Sequence, residues 1–374
     1  MVALVAAHGF AQACGRPAAV FVHVDVGTQA LAGAVHNADR GRIPVLIYAG
    51  ASPFMMNGES RGSENECFMS LQNVHDQPAI VRQYMRFTRQ INSSKDVGIA
   101  IWRWLQIATS EPRGPVYLWA GREVREEVVD EDFAKTPVNL RTWMPMESQG
   151  LNQNPKAVRK FVELSERLSI PVLVACPTTV NFPHGHPDFV GLTFGVEPSR
   201  WLREADTVLI IDSGDPYIPM HNKPKSDARV FHIDVNVMKD NIGMFHVDAQ
   251  IRCKADAETA LSRILECIPD AIPSNDRILT RAEKVRTLSL QRIANLESVR
   301  SAMPSDGWGL GDAIGASLSR NDLDLVVLVI GDGPFLFDVP ASAFWIARKY
   351  CMPFLTIILN NGVWKLELSG LHVC

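Results

Sequence analysis

The residues best suited to chemistry lie near the end of the sequence, where two apolar runs stop at polar residues and glycines. The run at 323–330 leads into Gly331-Asp332-Gly333, and the run at 355–359 leads into Asn360-Asn361. Both runs are typical of buried parallel strands, and residues 341–350 between them predict a crossover helix. Ligands bind at the carboxyl ends of parallel strands, so the two polar motifs should meet at one sheet edge. Their oxygen atoms, beside glycines that admit close backbone approach, suit a magnesium-bound diphosphate.

The first part of the sequence alternates helices and strands in the manner of a parallel sheet covered on both faces. Residues 1–13 are apolar on nearly every side, which predicts a buried helix, and Gly15 and Pro17 predict its end. Because a domain seldom opens on a buried helix, the sequence also predicts that a strand and a helix are missing before it. Further strands are predicted at 18–24, 45–49 and 116–119, and helices at 25–39 and 94–111.

A second domain of the same kind follows an acidic, loop-like linker. Its predicted helices and strands lie at 156–168, 170–175, 199–205, 207–212, 229–234 and 256–267, and a long polar helix follows at 278–300. No G-x-G-x-x-G motif accompanies these strands, so a dinucleotide site has weak support. Asp234 ends a strand as a ribose-binding acid would, although a turn aspartate at a strand end is the favoured interpretation.

Length and composition limit the possible classes of protein. With 374 residues, 47% hydrophobic and 21% charged, the chain predicts two or three ordinary globular domains. No apolar run approaches the roughly 20 residues of a membrane-spanning helix. The net charge of -4 argues against nucleic acid or a membrane as a partner. The seven cysteines lack C-x-x-C spacing, which argues against a zinc site or disulfide framework and predicts a cytoplasmic location.

Several segments, in the same order, resemble the thiamine diphosphate (ThDP) enzymes of the acetolactate synthase-like and benzoylformate decarboxylase-like family. Residues 7–17 resemble the helix A-x-G-Y-A-R-A-x-G-x-P of its pyrimidine-binding domain, and residues 111–117 resemble the closing P-x-G-P-V strand. Residues 307–316 resemble the helix G-W-G-L-G-A-A-I-G-A of its diphosphate-binding domain. The stretch from Gly331 to Asn361 resembles the motif that binds the diphosphate.

The resemblance implies three doubly wound, mostly parallel α/β domains, of which the first and last are incomplete. The implied segments are a pyrimidine-binding domain at 1–122, a linker at 123–155, a central Rossmann-like domain at 156–270, a linker helix at 271–306 and a partial diphosphate-binding domain at 307–374. The central domain binds FAD in acetolactate synthases. FAD is therefore a possible second cofactor, although no motif in this sequence supports it.

The resemblance also implies ThDP and Mg²⁺ as cofactors and suggests which residues bind them. The implied metal ligands are Asp332, Asn361 and a backbone carbonyl near Val363. Pro334 stands where the family commonly has serine, and it removes one amide donor. The implied cofactor-binding residues are Gly27, Gly331, Gly333, Pro334 and Asn360.

Two residues are candidates for catalysis. His23 lies just before Gly27, where the benzoylformate decarboxylase branch has an acid/base histidine, and a neutral imidazole there could move protons at bound substrate. The alternative is a strand-end histidine bonded to the backbone. Gln72 lies where the acetolactate synthase branch has an active-site glutamine, although the local match is loose. For His184 and His186, an interdomain loop is favoured over a metal pair.

The implied activity is decarboxylation or carboligation of a small 2-oxo acid by a homodimer or homotetramer. The glutamate that activates the cofactor in this family would precede Met1, and no acidic residue occurs before Asp25. The sequence therefore predicts a chain that is incomplete at both ends and internally, and inactive in this form. The alternatives are a non-catalytic remnant or binding protein of the same fold and, more remotely, an FAD- or NAD-dependent reductase built on the central domain.

Overall fold

The chain forms two compact units. The computed structural model describes residues 1–130, 140–146, 150–151, 154–176, 181–195, 198–239, 242, 247–269, 276–295, 309–319 and 325–360. Unit 1 consists of residues 1–146 and 301–374, and unit 2 consists of residues 147–300. Unit 1 thus contains both segments that resemble cofactor-binding domains. The finer domain boundaries given above remain predictions.

The N-terminal part of unit 1 is a parallel sheet with the strand order β1-β2-β4-β3. Its strands are β1 (Ala18–Val22), β2 (Val45–Gly50), β3 (Phe87–Ile91) and β4 (Val116–Ala120). Its helices are α1 (Val2–Cys14), α2 (Val24–Gln29), α3 (Ala32–Arg40), α4 (Phe68–Leu71), α5 (Val97–Thr109) and α6 (Arg122–Arg125). Alternate strand residues enter two cores: Tyr117 packs with α1 and α3, and Leu118 packs with α5. The sheet is therefore covered on both faces, as predicted.

The first helix shows why the local pattern predicted it well. Its buried residues include Leu4, Val5, Ala7 and Ala11, which lie on the apolar side that faces the sheet. The helix ends at Gly15, whose φ of 69° is a left-handed conformation that glycine adopts without a steric penalty. The predicted end of this helix is therefore confirmed.

Unit 2 contains a β5-β6 pair and a three-stranded sheet in the order β7-β8-β9. The strands are β5 (Val172–Ala175), β6 (Phe189–Thr193), β7 (Thr207–Ile211), β8 (Arg229–Asp234) and β9 (Ile251–Lys254). The helices are α7 (Pro155–Leu168), α8 (Arg200–Glu204), α9 (Ala257–Glu266) and α10 (Asp276–Asn295). Polar side chains cap three of them: Asn154, Ser199 and Asp256 accept backbone N–H groups of α7, α8 and α9.

The C-terminal part of unit 1 pairs two parallel strands across a helical connection, as the two apolar runs predicted, but both strands are largely exposed and not buried. Its elements are α11 (Gly309–Leu318), β10 (Val327–Gly331), α12 (Asp332–Phe337), α13 (Pro340–Lys349) and β11 (Leu355–Leu359). Helix α11 packs directly on α1. A Cβ added to Gly9 would overlap the backbone of Asp312, and one added to Gly315 would overlap the backbone of Ala6. Glycines therefore bring the two helix backbones into contact.

Every strand pair within the described residues is parallel, so the predicted α/β class is confirmed. Strands β3, β6 and β9 were not predicted. The reason is clearest for β9, which is an exposed edge strand with charged residues and therefore lacks an apolar run. Among the described helices, none combines the length and the apolar character that crossing a membrane demands.

Candidate functional site

The two motifs predicted to bind a diphosphate lie at one edge of the β10–β11 pair. Gly331 is in register with the last residue of β11, so Asp332 and Asn360 each follow directly after the paired strands. Asp332 opens α12 and is partly buried, whereas Asn360 is exposed. The other predicted metal ligands, Asn361 and Val363, lie outside the described residues. The structure thus brings together two members of the predicted set.

The donor chemistry at this edge fits Mg²⁺ well and fits an anion less well. Asp332 offers a carboxylate and Asn360 an amide oxygen, which are the hard donors that Mg²⁺ prefers. A Cβ built on Gly331 would lie 3.5 Å from Cδ of Pro334, so the missing side chain leaves the strand end open. Gly333 is partly exposed in the first turn of α12, but Pro334 is buried and has no N–H to donate. Fewer amide donors are therefore available to a phosphate than in an ordinary helix start.

His23 follows β1 at the carboxyl edge of the N-terminal sheet and is the N-cap residue of α2. Its side chain is exposed, and its carbonyl oxygen accepts the N–H of Gly27 at 2.7 Å. A Cβ on Gly27 would lie 3.1 Å from Cβ of Val22, so glycine lets α2 fold tightly onto the strand end. Because α2 begins at Val24, the strand predicted to reach that residue stops at Val22.

A cavity of ≈ 270 Å³ opens at the same edge of this sheet, beyond the ends of β2 and β4. The residues that line it include the aromatic Phe54 and Trp119 and the amide-bearing Gln77 and Gln90. None of these four residues was predicted, because none stands in a recognisable motif. Gln72, which was predicted to be catalytic, is partly buried at the end of α4 and is not part of the cavity wall.

Asp76 and Arg82 in the cavity wall form an ion pair with each other. Arg82 donates hydrogen bonds to both carboxylate oxygens of Asp76, at 2.6 and 2.9 Å. These bonds lower the pKa of Asp76 and raise the pKa of Arg82, so both groups stay charged at neutral pH. The cavity therefore offers aromatic and neutral polar residues to a ligand, because the Asp76 carboxylate is already bound to Arg82.

A buried carboxyl pair lies where α11 contacts α1. Asp312 stands where the family helix has alanine, and both of its carboxylate oxygens are buried without a well-formed hydrogen bond to any described residue. Burial, followed by the charge of Asp338, raises the pKa of Asp312 well above its usual value, although the backbone of Gly9 acts in the opposite direction. Burial also raises the pKa of Asp338 to about 6, while its Oδ2 accepts the N–H of Leu310.

Asp312→Asn is expected to stabilise unit 1 at neutral pH. A carboxyl group with a raised folded-state pKa stabilises the fold below the unfolded pKa and loses that contribution as the pH rises through the folded value. The variant should therefore gain about 1–3 kcal/mol over the wild type at pH 7, and this gain should shrink towards about pH 4. Urea unfolding from pH 4 to 8 measures the difference. The exposed Asp96→Asn variant should show no such gain.

Because His8 also contributes to the pH dependence of stability, the effect of Asp312 must be measured as a difference between wild type and variant. Burial lowers the pKa of this α1 histidine to about 4. A histidine with a depressed folded-state pKa destabilises the fold as the pH falls from about 6.5 towards the folded value. This trend is opposite to that of the carboxyl pair. The wild-type profile alone therefore mixes two effects, whereas the difference between wild type and Asp312→Asn isolates one.

In unit 2, the polar residues noted in the sequence have structural partners. The Asp234 carboxylate accepts Nζ of the buried Lys239 at 2.5 Å and the backbone N–H of Asn236 at 2.7 Å, so its oxygens are committed to the end of β8. His186 bonds Glu166 and the Asp188 backbone, as a loop histidine would. No group of three metal-ligating side chains occurs within the described part of the chain.

Comparison with known proteins identifies the family. The model "Thiamine pyrophosphate enzyme, N-terminal TPP binding domain" matches residues 1–79, which include His23. The model "Thiamine pyrophosphate enzyme, C-terminal TPP binding domain" matches residues 288–368, which include Asp332 and Asn360. The chain belongs to the thiamine diphosphate-dependent enzymes. The resemblance found in the sequence is thus confirmed, and the two matched regions support ThDP as the cofactor.

Relatives of this ThDP enzyme cover most of its length. Benzoylformate decarboxylase of Pseudomonas aeruginosa is 27% identical over 96% of this chain and 77% of its own. A protein of the same organism named probable 2-ketoarginine decarboxylase AruI is 22% identical over 98% of this chain and 75% of its own. The two names specify different 2-oxo acids, so identity alone leaves the side chain of the substrate open.

Solved structures of ThDP enzymes share the fold. Benzoylformate decarboxylase from Polynucleobacter necessarius has a TM-score of 0.71 at 18% identity and covers 98% of this chain and 80% of its own. The ThDP-dependent 4-hydroxybenzoylformate decarboxylase of Rhodococcus jostii RHA1 has a TM-score of 0.65 at 18% identity, with the same coverage of both chains. The three-domain α/β fold predicted from the sequence is therefore confirmed.

Proposed function

We propose that this ThDP enzyme decarboxylates a 2-oxo acid with an aromatic side chain and uses Mg²⁺ to hold the cofactor. The observation that carries the proposal is the position of His23 at the carboxyl edge of the N-terminal sheet, on a turn closed by Gly27. The names of the relatives support a 2-oxo acid as substrate and loss of CO₂ as the reaction. When bound, ThDP supplies the electron sink for cleavage of the bond between the keto carbon and the carboxylate.

His23 is the group that we assign to proton transfer. A neutral imidazole accepts a proton at one ring nitrogen and can return it at neutral pH. We expect the substrate carbon that has lost CO₂ to accept that proton. Protonation of this carbon leads to the aldehyde product. The N-cap position fixes the main chain of His23 while leaving its side chain exposed, so that it can meet a substrate.

The cavity favours an aromatic side chain over a guanidinium. Phe54 and Trp119 offer ring surfaces for packing against another ring. A guanidinium would require a free carboxylate, yet both oxygens of Asp76 already accept hydrogen bonds from Arg82. Among the two substrate types that the relatives' names specify, the benzoylformate type therefore fits the described residues better.

Asp332, Asn361 and a backbone carbonyl near Val363 are the ligands that we expect to hold Mg²⁺, and Asn360 lies at the same sheet edge as Asp332. Asp332→Asn should weaken ThDP binding by at least about tenfold, or about 1.4 kcal/mol, since the variant loses a charged oxygen ligand. Calorimetric titration of ThDP with and without Mg²⁺ measures the change. The exposed Asp227→Asn variant should retain wild-type affinity. Equal affinities for Asp332→Asn and wild type would remove Asp332 from the metal site.

The reaction is tested by CO₂ release from matched substrates. With ThDP and Mg²⁺ present, benzoylformate should be turned over faster than 5-guanidino-2-oxopentanoate and faster than pyruvate. Preference for the guanidino acid would overturn the assignment of the cavity. Product analysis separates the two activities that the sequence left open, because decarboxylation yields an aldehyde and carboligation yields a hydroxyketone.

Activation of the cofactor by this chain has its own test. Proton–deuterium exchange at C2 of bound thiamine, followed by NMR, reports activation of the cofactor without any substrate. Exchange no faster than in free ThDP would support the non-catalytic alternative, in which the fold binds ThDP without turnover. Accelerated exchange would show that a group of this chain activates the cofactor. Analytical ultracentrifugation tests the predicted homodimer or homotetramer.

A further inference from the structure

A chain of buried hydrogen bonds runs beneath His23. Nε2 of Gln77 lies 2.8 Å from the carbonyl oxygen of Gly50 and 2.8 Å from the Tyr117 hydroxyl. The Tyr117 hydroxyl lies 2.8 Å from Oγ1 of Thr28, which in turn lies 2.9 Å from the carbonyl oxygen of Val24. Thr28 and Tyr117 are fully buried, and Gln77 is 7% exposed. These bonds thus link the last residue of β2 and a residue of β4 to the first turn of α2.

The donor and the acceptor in each of these hydrogen bonds follow from the groups that form them. The amide group of Gln77 donates both of its hydrogens, one to Gly50 and one to Tyr117. Thr28 has one hydroxyl hydrogen and donates it to Val24. Tyr117 must therefore donate its own hydrogen to Thr28. Burial raises the pKa of Tyr117, so the phenol keeps the proton that this arrangement requires.

The last acceptor of the chain lies in the turn that carries His23. Val24 directly follows His23 and has a φ of 22°, a value that a β-branched residue adopts only when its surroundings hold it there. Its carbonyl oxygen receives the Thr28 hydroxyl, and the neighbouring carbonyl of His23 receives the Gly27 N–H at 2.7 Å. Both peptide groups of the turn are therefore restrained, one by α2 itself and one by the buried chain.

We propose that Tyr117 is a positioning residue that, with Thr28 and Gln77, fixes the orientation of His23. The inference rests on the proposed role of His23 in proton transfer. Gln77 also lines the cavity, so the same bonds connect the cavity wall to the His23 turn. Without the phenol hydroxyl, Gln77 loses an acceptor and Thr28 loses a donor, and the strained turn loses its support.

The test compares two identical substitutions in neighbouring strands. Tyr117→Phe removes the central hydroxyl, whereas Tyr48→Phe in β2 removes a half-buried hydroxyl that has no place in this chain. The ¹³Cε1–¹H signal of His23, assigned through a His23→Gln variant, should move in Tyr117→Phe and stay in place in Tyr48→Phe. The kcat/KM for benzoylformate should fall about 10- to 100-fold in Tyr117→Phe only, with unchanged affinity for ThDP.

A second pair of variants tests the proposal even if Tyr117→Phe fails to fold. Thr28→Val removes the hydroxyl at nearly constant volume, and Thr28→Ser keeps it. The proposal requires Thr28→Val to shift the His23 signal and Thr28→Ser to restore the wild-type position. An unmoved His23 signal in Tyr117→Phe or Thr28→Val would overturn it. A wild-type chain that releases no CO₂ would refute the proposed function. The NMR spectra need no turnover, so they would still show whether Tyr117 and Thr28 position His23.

Discussion

His23→Ala is expected to lower kcat/KM for benzoylformate by about 10²- to 10⁴-fold, the range that a positioned acid/base group contributes. The loss should fall mainly on kcat, because a proton transfer stabilises the transition state more than the bound substrate. Affinity for ThDP should stay within about threefold of the wild type, since the predicted metal ligands belong to another part of unit 1. Steady-state kinetics and calorimetry on the same preparation separate the two quantities.

The matched control for His23 is another histidine of the same sheet domain. His36 is exposed on α3 and packs only its ring edge against Tyr84, at a centroid distance of 5.8 Å. Surface substitutions usually leave stability nearly unchanged, so His36→Ala should fold like the wild type. Its kcat should therefore stay within about twofold of the wild type. If His23→Ala and His36→Ala have the same activity, the acid/base role of His23 is wrong, and the alternative of a histidine with a purely structural role is correct.

Gly315→Ala is expected to destabilise unit 1 by about 3 kcal/mol or more, at the upper end of what overpacking costs. The new methyl group would overlap the carbonyl oxygen of Ala6 and crowd the backbone N of Phe10. Backbone atoms of a packed helix cannot rotate away as a side chain can, so α1 and α11 would have to separate. Separation would expose apolar residues of both helices, among them Leu310 and Ile314.

Chemical denaturation followed by circular dichroism measures the effect of Gly315→Ala, and a second glycine provides the control. Gly98 lies in the first turn of α5, and a Cβ built there meets nothing within 4 Å. Gly98→Ala should be neutral or stabilise unit 1 by up to about 1 kcal/mol, because alanine loses less backbone entropy on folding. Similar stabilities for Gly315→Ala and Gly98→Ala would show that the α1–α11 contact is not tight.

Local patterns were sufficient to predict most of the regular structure. The strand at Leu355–Leu359 follows from a continuous run of apolar, β-branched residues, and the end of α1 follows from Gly15 and Pro17, so both depend only on nearby sequence. The edge strand Ile251–Lys254 was missed because an exposed edge needs no apolar run. In the same way, the motifs at Asp332 and Asn360 predicted a shared sheet edge, since the carboxyl ends of neighbouring parallel strands lie on the same side of the sheet.

By itself, the sequence determined the family, the α/β class and the two motifs that mark the cofactor-binding regions, because each depends on residue types at short spacings. Only the tertiary structure showed that Gln77 and Tyr117 meet Thr28 beneath His23, since these partners are far apart in the chain and no periodicity joins them. It also decided the environment of Asp312. A carboxylate on a helix is ordinarily solvated, and only the tertiary packing around Asp312 removes water from this one and raises its pKa.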